Sequence, residues 1–132
     1  MATAILRALF ASKLREVGSD GDLSILWTTV PEFLLSIRAT YSPSCQYNET
    51  DVVQATTKMD VLLLDDLGAE KSTEFSWSAL YVVLNDRINW LRPTIVTSNF
   101  SLAEIGKMNE RIASRFASYQ VIEVGGKDRR IS

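Results

Sequence analysis

Two adjacent carboxylates, Asp65 and Asp66, are the residues of this sequence best suited to chemistry. They follow the apolar run Val61–Leu64, and Gly68 comes shortly after them. Four large aliphatic residues without polar alternation are typical of a strand buried on both faces, as in parallel sheets. Open α/β sheets bind their ligands at the carboxyl ends of such strands. One acid there can hold Mg²⁺, often through water, while the other orients an attacking water, so the pair indicates Mg-ATP chemistry. A turn that is merely shaped by Asp residues is the alternative for this segment.

A second polar group follows the next predicted strand, which covers residues 94–99 and ends in Thr97, Ser98 and Asn99. Because neighbouring parallel strands place their carboxyl ends side by side, the Asn99 amide is expected to reach the same water or phosphate as the acids. An Asn at this position can equally shape the turn before the capping-box residues Ser101 and Glu104.

Arg111 and Arg115 are four residues apart in a helix predicted over residues 110–118, so they share one helical face. Arginine suits bidentate phosphate contacts and the neutralisation of transition-state charge, often from a neighbouring subunit. Solvated surface charge is the alternative. Arg129 and Arg130 have the same phosphate interpretation, with a frayed basic tail as its alternative.

The elements that must position these residues alternate between extended and helical patterns. Strands are predicted over residues 23–30, 61–66 and 94–99, with a closing strand or hairpin over residues 120–131. Helices are predicted over residues 5–17, from Pro31 to about Tyr41, over residues 51–58, and after Ser101. A long helix from Thr73 to about Leu91, capped by Ser72, is expected to bury Trp77, Leu80, Leu84, Ile88 and Leu91. Strands separated by helices predict an α/β fold, with a mainly parallel sheet covered by helices on both sides.

Composition narrows the chemistry further. The 132 residues fit one domain, and they include one cysteine, Cys45, and no histidine. An internal disulfide and a cysteine zinc cluster are therefore excluded, and any catalysis must use carboxylates, Arg, Lys and Asn. The net charge of −2 argues against a strongly basic nucleic-acid-binding surface overall, although the segment after Lys107 is locally basic. No apolar run approaches the ~20 residues of a membrane helix, and no secretory signal is evident, so a cytoplasmic location is expected.

Taken together, these segments resemble the DnaC-like and IstB-like ATPases of the AAA+ class, which load replicative helicases or assist transposases. Residues 61–71 are similar to the Walker B strand and its following loop, and residues 93–99 to the sensor 1 segment. Residues 110–116 are similar to the arginine-finger helix, and residues 126–130 more weakly to the sensor 2 region. The resemblance covers nearly the whole chain.

The resemblance implies the three-layer fold of a P-loop NTPase, with ATP and Mg²⁺ as ligands. By this resemblance Asp65 binds the metal, Asp66 stands where many relatives have Glu, and Asn99 is sensor 1. Arg115 acts on the nucleotide of a neighbouring subunit in a homo-oligomer, and Arg111 and Arg130 contact nucleotide. A replicative helicase or a transposase, together with single-stranded DNA, are the implied partners.

One expected motif is absent, since no G-x-x-x-x-G-K-[ST] phosphate loop occurs in the 132 residues. The first residues, from Met1 to Leu6, resemble the helix that follows this Walker A loop, so the loop and the first strand before it are expected to be missing from a partial AAA+ core at residues 1–132. Three explanations remain open: a fragment of a longer protein, a natural remnant that binds a partner without turnover, or nucleotide binding with a loop from another chain. Each lost charge-assisted hydrogen bond is worth roughly 1.5–3 kcal/mol, so we expect no ATP hydrolysis by the chain alone.

Overall fold

The computed structural model describes residues 23–69 and 73–125. Contacts divide the chain into two units, of which one is Leu23–Ser118 and the other combines Met1–Asp22 with Tyr119–Ser132. The helix predicted over residues 5–17 lies outside the described residues. In the second unit only residues 119–125 are described, and they contain no helix or strand.

The unit Leu23–Ser118 alternates strands and helices, as predicted. Its strands are β1 (Ile25–Thr29), β2 (Val61–Leu67) and β3 (Thr94–Ser98). Its helices are α1 (Val30–Ala39), α2 (Glu49–Lys58), α3 (Glu74–Asn89), α4 (Leu102–Met108) and α5 (Glu110–Arg115), and a 3-10 turn at Phe116–Ser118 follows. None of the helices within the described ranges is long and apolar enough to cross a membrane.

The strands form one parallel sheet in the order β1-β2-β3, with Ile25 opposite Val61 and Leu62 opposite Thr94. Each parallel step requires a crossover connection, and helices α1 and α2 supply the first while α3 supplies the second. The predicted α/β fold with a parallel sheet is confirmed.

Strand β2 is the central and most deeply buried strand. Its residues Leu62, Leu63 and Leu64 are at most 3% exposed. Because successive side chains of a strand point to opposite faces, three consecutive buried leucines show that both faces of β2 are covered. The apolar run before the acids is therefore the buried strand that the sequence predicts.

Short side-chain caps start the helices. Thr29 and Glu32 form a capping box at α1, where Pro31 occupies the first turn, and Ser101 and Glu104 form the predicted box at α4. Helix α3 is capped by Thr73, whose hydroxyl accepts a hydrogen bond from the Ser76 N–H at 3.2 Å, so the predicted cap at Ser72 was wrong by one residue.

The end of α3 corrects a second prediction. Trp77, Leu80 and Leu84 are buried as expected, but Leu91 is 90% exposed and has a φ of 53°. The helix ends at Asn89, and the left-handed backbone at Leu91 turns the chain away from the helix axis before Pro93. Helical periodicity no longer applies beyond that point.

Arg87 takes a place on the buried face of α3 that the apolar pattern does not reveal. This side chain is 0% exposed. Its guanidinium donates to the carbonyl oxygens of Met59 at 2.6 Å, Thr57 at 2.9 Å and Pro93 at 2.7 Å. These bonds join the end of α2 to the starts of β2 and β3, so Arg87 fixes the amino-terminal edge of the sheet.

The closing strand predicted from residue 120 is not formed in the described part of that segment. Residues 120–125 have no regular structure, and Val121, Ile122 and Val124 are 59%, 65% and 52% exposed. Strand propensity expresses how well a side chain suits a paired and half-covered surface, and these side chains have no such surface. The remainder of the predicted hairpin lies outside the described residues.

Candidate functional site

Polar residues line the carboxyl-terminal edge of the sheet. In the strand register Thr29 lies opposite Asp65, and Ser98 lies opposite Leu67. The parallel topology therefore brings the ends of β1, β2 and β3 together, as the sequence predicts. The acid pair occupies the centre of this edge.

A β-bulge sits at the acids themselves. Leu64 pairs with Val96 and Leu67 pairs with Ser98, so β2 takes three steps where β3 takes two. Asp66 has a φ of 60°, in the left-handed region that Asp tolerates better than most residues. Bulges and such backbone conformations concentrate next to active sites, where they redirect a side chain. The bulge leaves Asp65 half-buried and Asp66 exposed.

Thr97 holds the two acids in place. Its hydroxyl donates to Asp65 Oδ1 and accepts a hydrogen bond from the Asp66 backbone N–H at 3.1 Å. We call this arrangement of Thr97, Asp65 and Asp66 the threonine clamp. Sequence reasoning considered Thr97 only as part of a strand end, although strand alternation places it on the same face as Ile95, whose partner in β2 is Leu63. The register between β2 and β3 is therefore the feature that could have identified Thr97 as a neighbour of the acids.

Ser98 and Asn99 complete the end of β3 in different ways. The Ser98 hydroxyl donates to the Leu67 carbonyl oxygen at 2.6 Å and accepts from the Phe100 N–H at 3.1 Å. Asn99 is exposed in the bend after the strand, and its side chain makes no hydrogen bond to either acid. The structure thus joins Asp65 and Asp66 to Thr97 by hydrogen bonds. Asn99 follows Thr97 closely in the chain but is not bonded to the acids.

Gly68 forms the turn that follows Asp65 and Asp66. Its φ is 89°, and a Cβ atom at this position would lie 2.9 Å from Cδ2 of Phe100. Both the backbone angle and the close ring therefore favour glycine here. The loop that follows the acid pair therefore packs closely against Phe100 in the loop that follows β3.

The oxygen donors at this edge fit a magnesium ion. Mg²⁺ usually keeps several waters and binds one or two carboxylates together with substrate phosphates. Within residues 23–69 and 73–125 no cluster of three His, Cys, Asp or Glu side chains surrounds a common point. Asp65 and Asp66 supply two carboxylates, the number that such an ion uses together with waters and phosphates. The same described ranges contain no glycine-rich loop that would hold those phosphates.

Arg111 and Arg115 meet at a tyrosine on α3, not at the acids. Arg115 Nη2 donates to the Tyr81 hydroxyl at 2.6 Å, and the guanidinium carbons of Arg111 and Arg115 lie 4.4 Å and 5.2 Å from the Tyr81 ring centroid. Arg115 Nε is buried and has no hydrogen-bond partner. We call these three residues the arginine–tyrosine cluster. Arg130, the remaining predicted site residue, lies outside the described residues.

The cluster changes the properties of Tyr81. The hydrogen bond from Arg115 lowers the pKa of the Tyr81 phenol below its ordinary value, and Arg111 acts in the same direction, while burial opposes both. Each guanidinium over the ring also makes a cation–π contact, worth about 0.5–1 kcal/mol at an exposed site. Sequence reasoning identified the arginines and missed Tyr81, because it lies 30 or more residues away in the chain.

Two concave surfaces of the described residues lie away from the acids. A groove of about 460 Å³ is lined by α2 and α3, with Phe75, Val82 and Trp90 among its residues. A second one of about 510 Å³ is lined mainly by α2, with Leu26 and Tyr47. Neither groove includes the acid pair, Asn99 or the arginines.

The fold of this chain, a parallel sheet with helical crossovers, is similar to the fold of several solved structures of replication proteins. Two solved structures of the initiator DnaA share it. DnaA from Aquifex aeolicus, bound to AMPPCP, has a TM-score of 0.69 at 15% identity over 86% of this chain and 33% of that chain. DnaA bound to AMPPCP and single-stranded DNA has a TM-score of 0.62 at 16% identity over 72% of this chain and 29% of that chain.

Two further solved structures, the DnaC helicase loader and DnaI, have higher sequence identities and lower TM-scores. The DnaC helicase loader has a TM-score of 0.58 at 20% identity over 71% of this chain and 56% of that chain. DnaI has a TM-score of 0.51 at 28% identity over 68% of this chain and 49% of that chain. The chain thus spans about a third to a half of the length of these replication proteins. No family model matches the sequence, and no curated protein does.

Proposed function

We propose that this chain is the nucleotide-handling core of a DnaC-like protein of DNA replication, a helicase loader. The observation that carries the proposal is the threonine clamp, because it holds two acids at the carboxyl edge of an AAA+ sheet. Similarity to DnaC and DnaI supports the same assignment. Here ATP is the nucleotide, and the chain works as part of a homo-oligomer.

In this proposal the two acids have separate tasks. Asp65 holds a hydrated Mg²⁺, which would supply charge neutralisation to nucleotide phosphates. Thr97 fixes one oxygen of Asp65 and leaves Oδ2 without a bond from a described residue. Asp66 is exposed and bonded only through its backbone, so its carboxylate is available to orient a water. Asn99 would act on the same water or phosphate after a change in its side-chain conformation.

Arg115 has its proposed role on the nucleotide of a neighbouring subunit, and Arg111 supports it. Neither arginine pairs with Asp65 or Asp66 of its own chain, and both are gathered instead at Tyr81. A group that acts across a subunit interface is not expected to bond its own acids. This separation favours action in trans.

The 132 residues alone are not expected to hydrolyse ATP. Their sequence contains no phosphate loop, and a Gly-rich loop with its Lys supplies most of the contacts that hold ATP in this class. We expect no measurable ATP hydrolysis by this chain. Turnover that disappears in Asp66→Asn would overturn that expectation.

The proposed partners are a replicative helicase and single-stranded DNA. DnaC is described as a helicase loader, and one of the similar DnaA structures contains single-stranded DNA. Sedimentation of a replicative helicase with circular single-stranded DNA would test the first partner, since added chain should increase the amount of helicase bound to the DNA. A transposition helper is the alternative within the same class, and a transposase beside the gene would favour it.

Binding of Mn²⁺ with AMPPCP tests the acid site directly. Mn²⁺ can replace Mg²⁺ and broadens the NMR signals of nearby nuclei. The amide signals of Asp65, Asp66 and Asn99 should therefore broaden at lower Mn²⁺ concentrations than the amide signal of Asp86. Asp65→Asn should abolish this preference, while the control Asp86→Asn on α3 should leave it intact. Equal broadening at the acid pair and at Asp86 would contradict the proposal.

A non-catalytic, partner-binding module is the second candidate. The absence of a phosphate loop in these 132 residues favours it, and so does the outer edge of β3, which pairs with no other strand in the described residues. Its recruiting surface would be this edge or the helix that carries Arg111 and Arg115. Stable binding to a partner without nucleotide, undisturbed by Asp65→Asn, would support it over the ATPase.

A further inference from the structure

In the arginine–tyrosine cluster, only one of two neighbouring nitrogens of the Arg115 guanidinium has a hydrogen-bond partner. Nη2 donates to the Tyr81 hydroxyl at 2.6 Å, whereas the adjacent Nε is buried without a partner. Nε and Nη2 form one edge of the guanidinium fork, which matches two acceptor oxygens. Tyr81 offers a single oxygen, so it occupies this edge and leaves half of it unsatisfied.

We propose that Tyr81 is a positioning residue that holds Arg115 and Arg111 together as one phosphate-binding pair. The inference rests on the proposed role of Arg115 toward a neighbour's nucleotide. Tyr81 would act through the arginines and would not touch the phosphate. The ligand class is a triphosphate or another closely spaced polyphosphate.

Two contacts carry the positioning. The first is the hydrogen bond from Arg115, which fixes the rotation of its guanidinium. The second is the ring face, since both guanidinium carbons lie within 5.2 Å of the same centroid. A free arginine on a helix surface loses considerable rotamer entropy when it binds a ligand, and a side chain already held in place loses less. Tyr81 therefore lowers the cost of binding.

The remaining edge of Arg115 is the one available to a ligand. Within the part of the chain that the structure describes, no group accepts a hydrogen bond from Nη1. Arg111 is exposed, and its guanidinium carbon lies 4.4 Å from the Tyr81 ring centroid, so a ligand can reach this second guanidinium. Two like charges gathered on one ring repel each other, and a polyanion relieves that repulsion. This explains why the ligand would carry several negative charges.

Inorganic triphosphate and the full chain provide the test. Tyr81→Phe keeps the ring and removes only the hydroxyl. We expect its affinity for triphosphate to fall about fivefold, because ordering one freed arginine side chain on binding costs about 0.5–1.5 kcal/mol. Arg115→Gln should reduce the affinity about tenfold or more. The double variant should bind as Arg115→Gln does, because the hydroxyl acts only through Arg115.

The side-chain NMR signal of Arg115 Nε–H gives a readout that a loss of stability would not produce. In Tyr81→Phe this signal should shift and exchange faster with water, while backbone spectra stay unchanged. Tyr41→Phe and Arg38→Gln are matched controls, since both residues are exposed on or beside α1, and neither should change triphosphate binding.

The outcomes separate the two proposals. If Arg115→Gln weakens binding and Tyr81→Phe does not, the positioning role is wrong while the phosphate role of Arg115 stands. If Arg115→Gln binds triphosphate as the wild type does, the proposed role of Arg115 is wrong and the positioning inference falls with it. A fivefold loss in Tyr81→Phe with an unchanged Nε–H signal also overturns the inference.

Discussion

Replacing Thr97 by Val removes the hydroxyl of the threonine clamp and keeps the β-branched shape that suits β3. Two hydrogen bonds are lost. A bond to a charged group is worth about 1.5–3 kcal/mol, but Asp65 is half-buried and water recovers part of that, so we take about 1 kcal/mol. The bond from the exposed Asp66 N–H is neutral and adds about 0.5 kcal/mol. The expected loss in the free energy of unfolding is thus about 1.5 kcal/mol.

Urea unfolding followed by tryptophan fluorescence suits this measurement. The three tryptophans are Trp27, Trp77 and Trp90, all within the unit Leu23–Ser118. A stability change should move the midpoint and leave the slope constant. Hydrogen exchange of the Asp66 amide provides a local readout, since Thr97→Val should release this N–H selectively.

Two matched variants sharpen the comparison. Thr97→Ser keeps the hydroxyl and should lose less than Thr97→Val. Thr28→Val removes a β1 hydroxyl whose bond is to the adjacent Thr29 carbonyl oxygen at 3.2 Å, so it should change stability by no more than about 0.5 kcal/mol. If Thr97→Val matches Thr28→Val in both the midpoint and the Asp66 amide exchange, the clamp does not hold the acids and the reasoning fails.

Two further predictions concern the opposite edge of the sheet. Arg87→Met leaves the carbonyls that Arg87 serves unsatisfied and should lower the urea unfolding free energy by about 3–5 kcal/mol, whereas a loss below 1 kcal/mol would show that water replaces it. Hydrogen bonds from the Ser24 N–H and hydroxyl lower the pKa of Asp60, so ionised Asp60 stabilises the fold above its unfolded pKa of about 4. That contribution should disappear as the pH falls through the lower folded pKa, so urea midpoints of the wild type and Asp60→Asn should differ at pH ~6 and converge at low pH; a constant difference would refute this.

The threonine clamp and Arg87 hold opposite edges of the sheet. Arg87 joins α2 to the amino-terminal starts of β2 and β3, and Thr97 joins the carboxyl-terminal ends of the same strands. With the register fixed at the Arg87 edge, the bulge at Asp66 can persist at the other edge. A left-handed non-glycine residue costs about 1–3 kcal/mol, and such a cost is sustained only where the surrounding structure is well determined.

The sequence predicted an element of this fold well where all the evidence for that element lies within a few neighbouring residues. The capping box at Ser101 and Glu104 and the leucine run before Asp65 each combine their evidence within a few residues, and the structure has both. Predictions failed where a distant partner decides the outcome. Residues 120–124 have strand propensity without a paired strand. The prediction for Leu91 failed for a local reason, because the helix ends at Asn89 and the backbone at Leu91 is left-handed.

The sequence by itself determined the order of the polar residues along the chain and predicted the parallel sheet edge where Asp65 and Asp66 emerge. Its motifs also carried the resemblance to DnaC-like proteins. Only the tertiary structure decided which side chains meet: Thr97, and not Asn99, bonds the acids, and Tyr81 gathers Arg111 and Arg115. The physical reason is that hydrogen bonds and cation–π contacts depend on positions within a few ångströms. Strand register and helix packing set those positions between residues that are 30 or more apart in the chain.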